Sequence, residues 1–148
     1  MSTQFPNGYA GDVSVADAYS ILASDQSAVL VDVRTKAEWS YVGAPDLTDL
    51  GKETIFLEWQ EYPSMKVAAD FASHLLEILR ARGVSATVPI LFLCRSGARS
   101  RAAAVAMTKA GQGHCYNIAE GFEGPLDDKH KRGAVDGWKA RGLPWAQS

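Results

Sequence analysis

Apolar positions along this chain form two kinds of run: short and continuous, or longer with helical spacing. The continuous runs include Ala28-Val29-Leu30-Val31-Asp32-Val33, Thr54-Ile55-Phe56-Leu57-Glu58-Trp59, Pro89-Ile90-Leu91-Phe92-Leu93 and Tyr116-Asn117-Ile118-Ala119. All four predict strands, the first covered on both faces and the third buried, and Asp12-Val13 predicts a shorter one. Between them lie helical patterns. Val15, Ala18, Tyr19 and Leu22 share one face behind Ser14 as N-cap and Asp17 in the first turn, which predicts a helix over 15–23. Thr35-Lys36-Ala37-Glu38 has the form of a capping box and predicts a short helix carrying Trp39 that ends before Gly43-Ala44-Pro45. Pro63-Ser64 opens a longer pattern through Val67, Phe71, Leu75 and Ile78, widened by Leu76 and Leu79 and stopped at Gly83. A further helix is expected over about 98–110, ended by Gly111 and Gly113, and a closing one around Val135 to Ala140 carrying Trp138. Residues 46–53 and 120–125 read as loops, Leu143-Pro144-Trp145 as an apolar tail packing back, and Met1 to Gly11 as a loose arm.

Strands alternate with helices from end to end, with no repeat or low-complexity stretch. The pattern predicts one α/β domain over 1–148, built on a mainly parallel sheet flanked by helices. Ligands of such sheets sit beyond the carboxyl ends of the strands. Asp32, Trp59, Cys94 and the loop after Ala119 all fall there and should converge on one edge.

Bulk properties narrow the classes further. A chain of 148 residues buries enough surface to fold without a disulfide or metal. The net charge of −2, with both signs mixed, argues against a nucleic-acid binder. The basic run Lys129-His130-Lys131-Arg132 reads as a solvated loop. Two cysteines, with no Cys-x-x-Cys, make neither a disulfide framework nor a zinc site, and fit a reducing compartment. No leader is visible and no apolar run approaches the roughly 20 residues that span a bilayer. The expectation is a cytoplasmic protein with no membrane partner.

Chemistry concentrates at Cys94-Arg95-Ser96-Gly97-Ala98-Arg99-Ser100. A buried strand ends at the cysteine, a tight turn follows, and then an alanine-rich helix begins. A helix N-terminus offers unpaired N–H groups and partial positive charge, a cradle for an anion such as a thiolate. Gly97 permits backbone angles other residues resist, and Arg95 and Arg99 add charge. All of this favours a thiolate nucleophile at the mouth of the cradle over an inert core cysteine. Ser96 and Ser100 offer hydroxyls to the sulfur, or Ser100 caps the helix. Arg95 is expected at the pocket mouth. Arg99 either reads the substrate or ties the loop to Asp32 or Glu38. Arg34 with Glu38 reads as a structural ion pair. Trp59 and Phe122 either wall the pocket or fill the core, and Cys115 reads as structural rather than as a resolving thiol.

The same loop resembles the active-site loop of single-domain rhodaneses. Leu30-Val31-Asp32-Val33-Arg34 with Glu38-Trp39 resembles that family's Asp-x-Arg and Glu-aromatic motif. Glu120-Gly121-Phe122 resembles its glycine-containing loop, and Trp138 its C-terminal tryptophan. The likeness spans about residues 12–145. The chain departs from the pattern at Ser40-Tyr41-Val42, where Gly-His-Ile is usual, and at Phe122, where the family has a second glycine. Both departures bear on substrate shape more than on the nucleophile. The resemblance implies a rhodanese-like fold with a central, mainly parallel five-stranded sheet. It implies transfer of a sulfane sulfur from thiosulfate or a similar donor, through a Cys94 persulfide, to a thiol or cyanide acceptor. It implies binding by Arg95, Ser96, Gly97, Ala98, Arg99 and Ser100, and needs no metal or organic cofactor.

Two other readings stay open. Phosphatases and arsenate reductases of related fold use a Cys-x5-Arg loop; here arginine is the fifth residue after Cys94 and Ser100 the sixth, so the loop is one residue shorter. A sulfur relay that docks a protein acceptor would keep the same reactive cysteine with little thiosulfate turnover.

Overall fold

The continuous apolar runs form strands that pair in parallel. The computed structural model describes residues 7–61, 64, 66–129, 131–132 and 136–147. Five strands make the central sheet: β1 (Gly11–Val13), β2 (Val29–Asp32), β4 (Ile55–Phe56), β7 (Pro89–Leu93) and β8 (His114–Ile118). Their order is β1-β8-β7-β2-β4, and every pairing is parallel. One row of residues crosses the sheet in register: Ile55, Val31, Phe92, Asn117 and Asp12. Two small antiparallel ribbons flank it, β3 (Ala44–Pro45) with β9 (Trp145–Ala146) and β5 (Gln60–Glu61) with β6 (Lys66–Val67).

Successive strand residues point to opposite faces, so the core divides in two. On one face Val31, Ile90, Phe92 and Cys115 meet Phe71, Leu75 and Leu79 of α3 (Phe71–Ala81) and Ala103, Ala104 and Met107 of α4 (Ala98–Lys109). On the other, Leu30, Leu91, Leu93 and Ile118 meet Val15, Ala18 and Leu22 of α1 (Val15–Ser24), with Phe122 and Trp138. Leu91 and Leu93 are fully buried, and truncating either to alanine should cost about 2–5 kcal/mol. The expected α/β architecture, with helices on both faces of a five-stranded sheet, is the one observed.

The local predictions hold where caps were legible. Ser14 accepts from the Asp17 N–H at 3.0 Å. In α2 (Lys36–Tyr41) the capping box is complete. The differences have physical causes. Helix α3 begins at Phe71, not near Ser64; Lys66–Val67 instead joins the β5–β6 ribbon, and the Ala68 N–H bonds the Trp59 carbonyl at 2.9 Å. The expected opening residue Pro63 lies outside the described residues. The 54–59 strand is cut to Ile55–Phe56, and Glu58 turns to accept the Lys36 N–H at 2.9 Å. The loop 46–53 contains a 3-10 turn at Thr48–Leu50.

The closing helix is not found over 136–142, and Val135 lies outside the described residues. Gly137 has φ +102°, outside the helical region, and Trp138 and Lys139 donate instead to the carbonyls of Gly121 and Phe122. The arm is docked from Tyr9 onward: Tyr9 is buried and the Ala10 N–H bonds the Cys115 carbonyl at 2.9 Å, while residues 1–6 lie outside the described residues. The tail does pack back, as β9. Among the described residues no helix is long and apolar enough to cross a membrane.

Candidate functional site

Strand β7 delivers Cys94 beyond its carboxyl end, between β2, which ends at Asp32, and β8, which is followed by the 119–124 loop. The chain then turns through Arg95-Ser96-Gly97 into α4. Gly97 is the N-cap, at φ +109°, and a Cβ there would run into the Ala119 carbonyl. The 119–124 loop also captures the carbonyls of the turn. The Phe122 N–H donates to the Cys94 carbonyl at 2.8 Å and the Glu123 N–H to the Arg95 carbonyl at 3.0 Å. With those carbonyls held outward, the Gly97 N–H points inward and donates to Cys94 Sγ at 3.1 Å. The first N–H groups of α4 follow it, without partners inside the helix.

The sulfur is deeper than expected. Cys94 lies on the floor of the cradle rather than at its mouth, with 2% of the residue exposed. In front of the loop is a cavity of about 720 Å³, lined by Thr35, Glu38, Tyr41, Arg95, Arg99 and Arg132 among others. Arg95 and Ala98 are exposed there, as expected for Arg95. Ser96 opens onto a neighbouring cavity beside Ala119 and Glu120.

The arginines sort differently. Arg99 makes a two-pronged ion pair with Glu38, at 2.6 and 2.9 Å, so it braces the loop against α2. Burial works against the Arg99 charge, but its bonds to the Glu38 carboxylate outweigh it and hold its pKa above the ordinary value. Burial likewise acts to raise the Glu38 carboxyl, and Arg99 overcomes it, leaving the pKa lowered. The expected Arg34–Glu38 pair does not form. Arg34 is fully buried and pairs with Asp32 at 2.8 Å, because the Asp-x-Arg spacing lets the guanidinium fold back along its own strand end. It also donates to the Gly43 carbonyl and lies 4.2 Å over the Phe122 ring.

Ser100 is not a cap. Its hydroxyl lies 3.2 Å from Cys94 Sγ and 2.5 Å from Asn117 Oδ1. Phe122 is a fully buried core residue, and the half-buried Trp59 packs against the core, edge-on to Phe71. Cys115 is fully buried on β8, packed in the core, and burial pushes its thiol up to about 12. Among the described residues, no three His, Cys, Asp or Glu side chains gather as a metal site.

Three participants escaped the sequence reading. Arg132, assigned to a solvated run, lines the large cavity and donates to the Gly124 carbonyl at 2.9 Å. Asn117 and Asp12 stand behind Ser100, and the signal was available: a polar residue inside an apolar strand run needs a partner.

The chain is similar to several known proteins. An uncharacterised protein of Rickettsia conorii is 44% identical over 128 residues, covering 86% of this chain and 90% of that one. A second, from Rickettsia prowazekii, is 41% identical over the same coverage. The crystal structure of Rv0390 from M. tuberculosis superposes with a TM-score of 0.83 at 44% identity, covering 95% of this chain and 99% of that one. The polysulfide-sulfur transferase homodimer of Wolinella succinogenes shares the fold, with a TM-score of 0.58 at 22% identity over 99% of this chain and 87% of that one. The match to the STR4 middle domain family runs over residues 10–148, and the chain belongs to that family.

Proposed function

We propose that this protein is a thiosulfate sulfurtransferase-like enzyme of the rhodanese type, moving a sulfane sulfur through a persulfide on Cys94. The observation that carries the reading is the setting of Cys94 Sγ. It receives the Gly97 N–H at 3.1 Å at the start of α4, with the exposed Arg95 at the entrance. A thiolate there attacks the outer sulfur of a donor such as thiosulfate. A new S–S bond forms, the bond to the sulfonate sulfur breaks, and sulfite leaves with that electron pair. The extra sulfur, now the anion, is held by the loop N–H groups as an oxyanion hole holds an oxyanion. A thiol or cyanide then takes it and frees the thiolate. Splitting one transfer into two covalent steps is ordinary nucleophilic catalysis. Arg95 would read the sulfonate, for which a planar guanidinium is well shaped. The shared fold with a polysulfide-sulfur transferase accords with this chemistry.

The test is intact-mass analysis after incubation with thiosulfate, where an adduct of about +32 Da is expected, the mass of one sulfur on the nucleophile. Cys94→Ser should lose both the adduct and thiosulfate:cyanide transfer while keeping its fold; undiminished transfer in that variant rejects the assignment. The depth of Cys94 favours a second reading, a relay whose loop opens for a protein acceptor. Strong labelling with negligible turnover on free cyanide would select it.

A further inference from the structure

The Ser100 hydroxyl has one proton and two claimants. Cys94 Sγ lies at 3.2 Å and Asn117 Oδ1 at 2.5 Å, the short end of the O–H···O range. Both Ser100 and Asn117 are fully buried. The orientation of the Asn117 amide is fixed from behind: its Nδ2 donates to Asp12 Oδ1 at 3.0 Å, across the paired strands β8 and β1. A carboxylate only accepts, so the NH₂ must face Asp12 and the carbonyl must face Ser100. Tyr9 donates to the same Asp12 oxygen at 2.8 Å, and Arg101 lies 3.9 Å from the other.

We propose that Asn117 is a positioning residue for Cys94: it holds the Ser100 proton away from the sulfur, and so favours the persulfide over the free thiolate. The second clause rests on the sulfur-transfer reading above; the first does not. With its proton on Asn117, Ser100 turns a lone pair toward Sγ. That suits a thiol, which can donate, and the inner sulfur of a persulfide, which carries no charge. It does not suit a thiolate. To serve the thiolate the hydroxyl must rotate, and Asn117 Oδ1 is then left buried without a donor, a costly state. The amide cannot turn to compensate, because its oxygen would then face Asp12. Sulfur loading moves the negative charge to the outer sulfur and ends the conflict.

Among the described residues, the charged and titratable groups around this trio are Asp12 and Tyr9 at β1, Arg95 in the turn after Cys94, Arg99 and Arg101 on α4, Asp32 and Arg34 at the end of β2, Glu38 through Arg99, and Cys115 on β8. The variants below change none of them except Asp12.

The test is the rate of Cys94 alkylation by iodoacetamide across pH, read peptide by peptide by mass spectrometry so that Cys115 does not interfere. Asn117→Leu removes the competing acceptor at similar volume. The pH of half-maximal alkylation should move down, and the rate at pH 6.5 should rise about tenfold, the effect of about 1.4 kcal/mol. Adding Ser100→Ala should abolish that gain. A folded Asn117→Leu protein with the wild-type pH profile, or a gain that survives loss of Ser100, overturns the proposal. If Asn117→Leu does not fold, Asp12→Asn at the exposed end unlocks the amide instead. Its gain should vanish with Ser100→Ala, whereas a gain from charge removal alone would persist and count against the lock. Alkylation needs no sulfur donor, so this result stands apart from the outcome of the transfer assay. If transfer occurs, the loaded Asn117→Leu protein should also release its sulfur to a thiol several-fold faster than wild type, and an unchanged release rate removes the second clause.

Discussion

Gly121 and Gly83 share a backbone angle, φ +73°, and differ in what surrounds them. A Cβ on Gly83 meets nothing within 4 Å, whereas on Gly121 it would strike the carbonyls of Arg95 and Cys94. Replacing either by alanine places a side chain in the left-handed region, at about 1–2 kcal/mol. For Gly83→Ala that is the whole effect. Gly121→Ala must also push the Cys94 turn away, which loosens the bonds from Phe122 to the Cys94 carbonyl (2.8 Å) and from Glu123 to the Arg95 carbonyl (3.0 Å). Each group left unmet costs about 1–3 kcal/mol, so the total reaches about 3–8 kcal/mol. In a chain of 148 residues, where 1 kcal/mol moves Tm by about 2–4 °C, the melting point should fall by about 2–8 °C for Gly83→Ala and by at least about 6 °C for Gly121→Ala. Thermal unfolding beside transfer activity per folded molecule gives both readouts. Only Gly121→Ala should lose activity, because the outward carbonyls aim the Gly97 amide at the sulfur. Equal melting losses with equal activity would refute the account of how the cradle is held open.

Other perturbations probe separate parts. The Glu38 carboxyl is held below its ordinary 4.5, so its pairing with Arg99 contributes fully above that pH and is lost as pH falls through the lowered value. Glu38→Gln should therefore cost about 1–3 kcal/mol near neutrality and much less at pH 3, checked by denaturant titration at both; a loss independent of pH would count against the ion pair. Arg95→Ala should raise KM for thiosulfate about tenfold or more and leave an uncharged sulfane donor nearly unaffected; equal effects on both would show that Arg95 does not read the sulfonate. Cys115→Ala should lower stability by about 1–2 kcal/mol through the lost buried sulfur and leave transfer per folded molecule unchanged, whereas loss of turnover would restore it as a resolving thiol.

Strand-forming runs, both helix caps and the Cys94 loop were legible because each depends on neighbours in sequence. Thr35 and Glu38 complete a capping box three residues apart, and local chemistry settles it. What stayed hidden depends on partners far along the chain. Nothing near Glu38 says whether it will meet Arg34 or Arg99; the choice is made by where α4 lands. Val67 fits a helical stripe with Phe71, yet it joins a ribbon, 45% exposed, because a short antiparallel pairing with Gln60 competes locally. Trp138 falls within the helix expected around Val135 to Ala140, but its backbone N–H is claimed by the Gly121 carbonyl. The depth of Cys94 follows from the 119–124 loop closing over the turn, a contact between segments that the sequence shows only as two glycines.

The parallel pairing of β1 with β8 joins residues 11–13 to residues 116–118. Such distant contacts form late, since a large loop must close before they give anything back. Asp12 rides on that last strand, so a refolding or newly synthesised chain can own an assembled turn around Cys94 before anything behind Asn117 is anchored. The thiol should then pass through an immature, more reactive period, visible as fast alkylation that subsides more slowly than secondary structure returns. A cysteine housed this way would be most vulnerable to oxidants in its first moments.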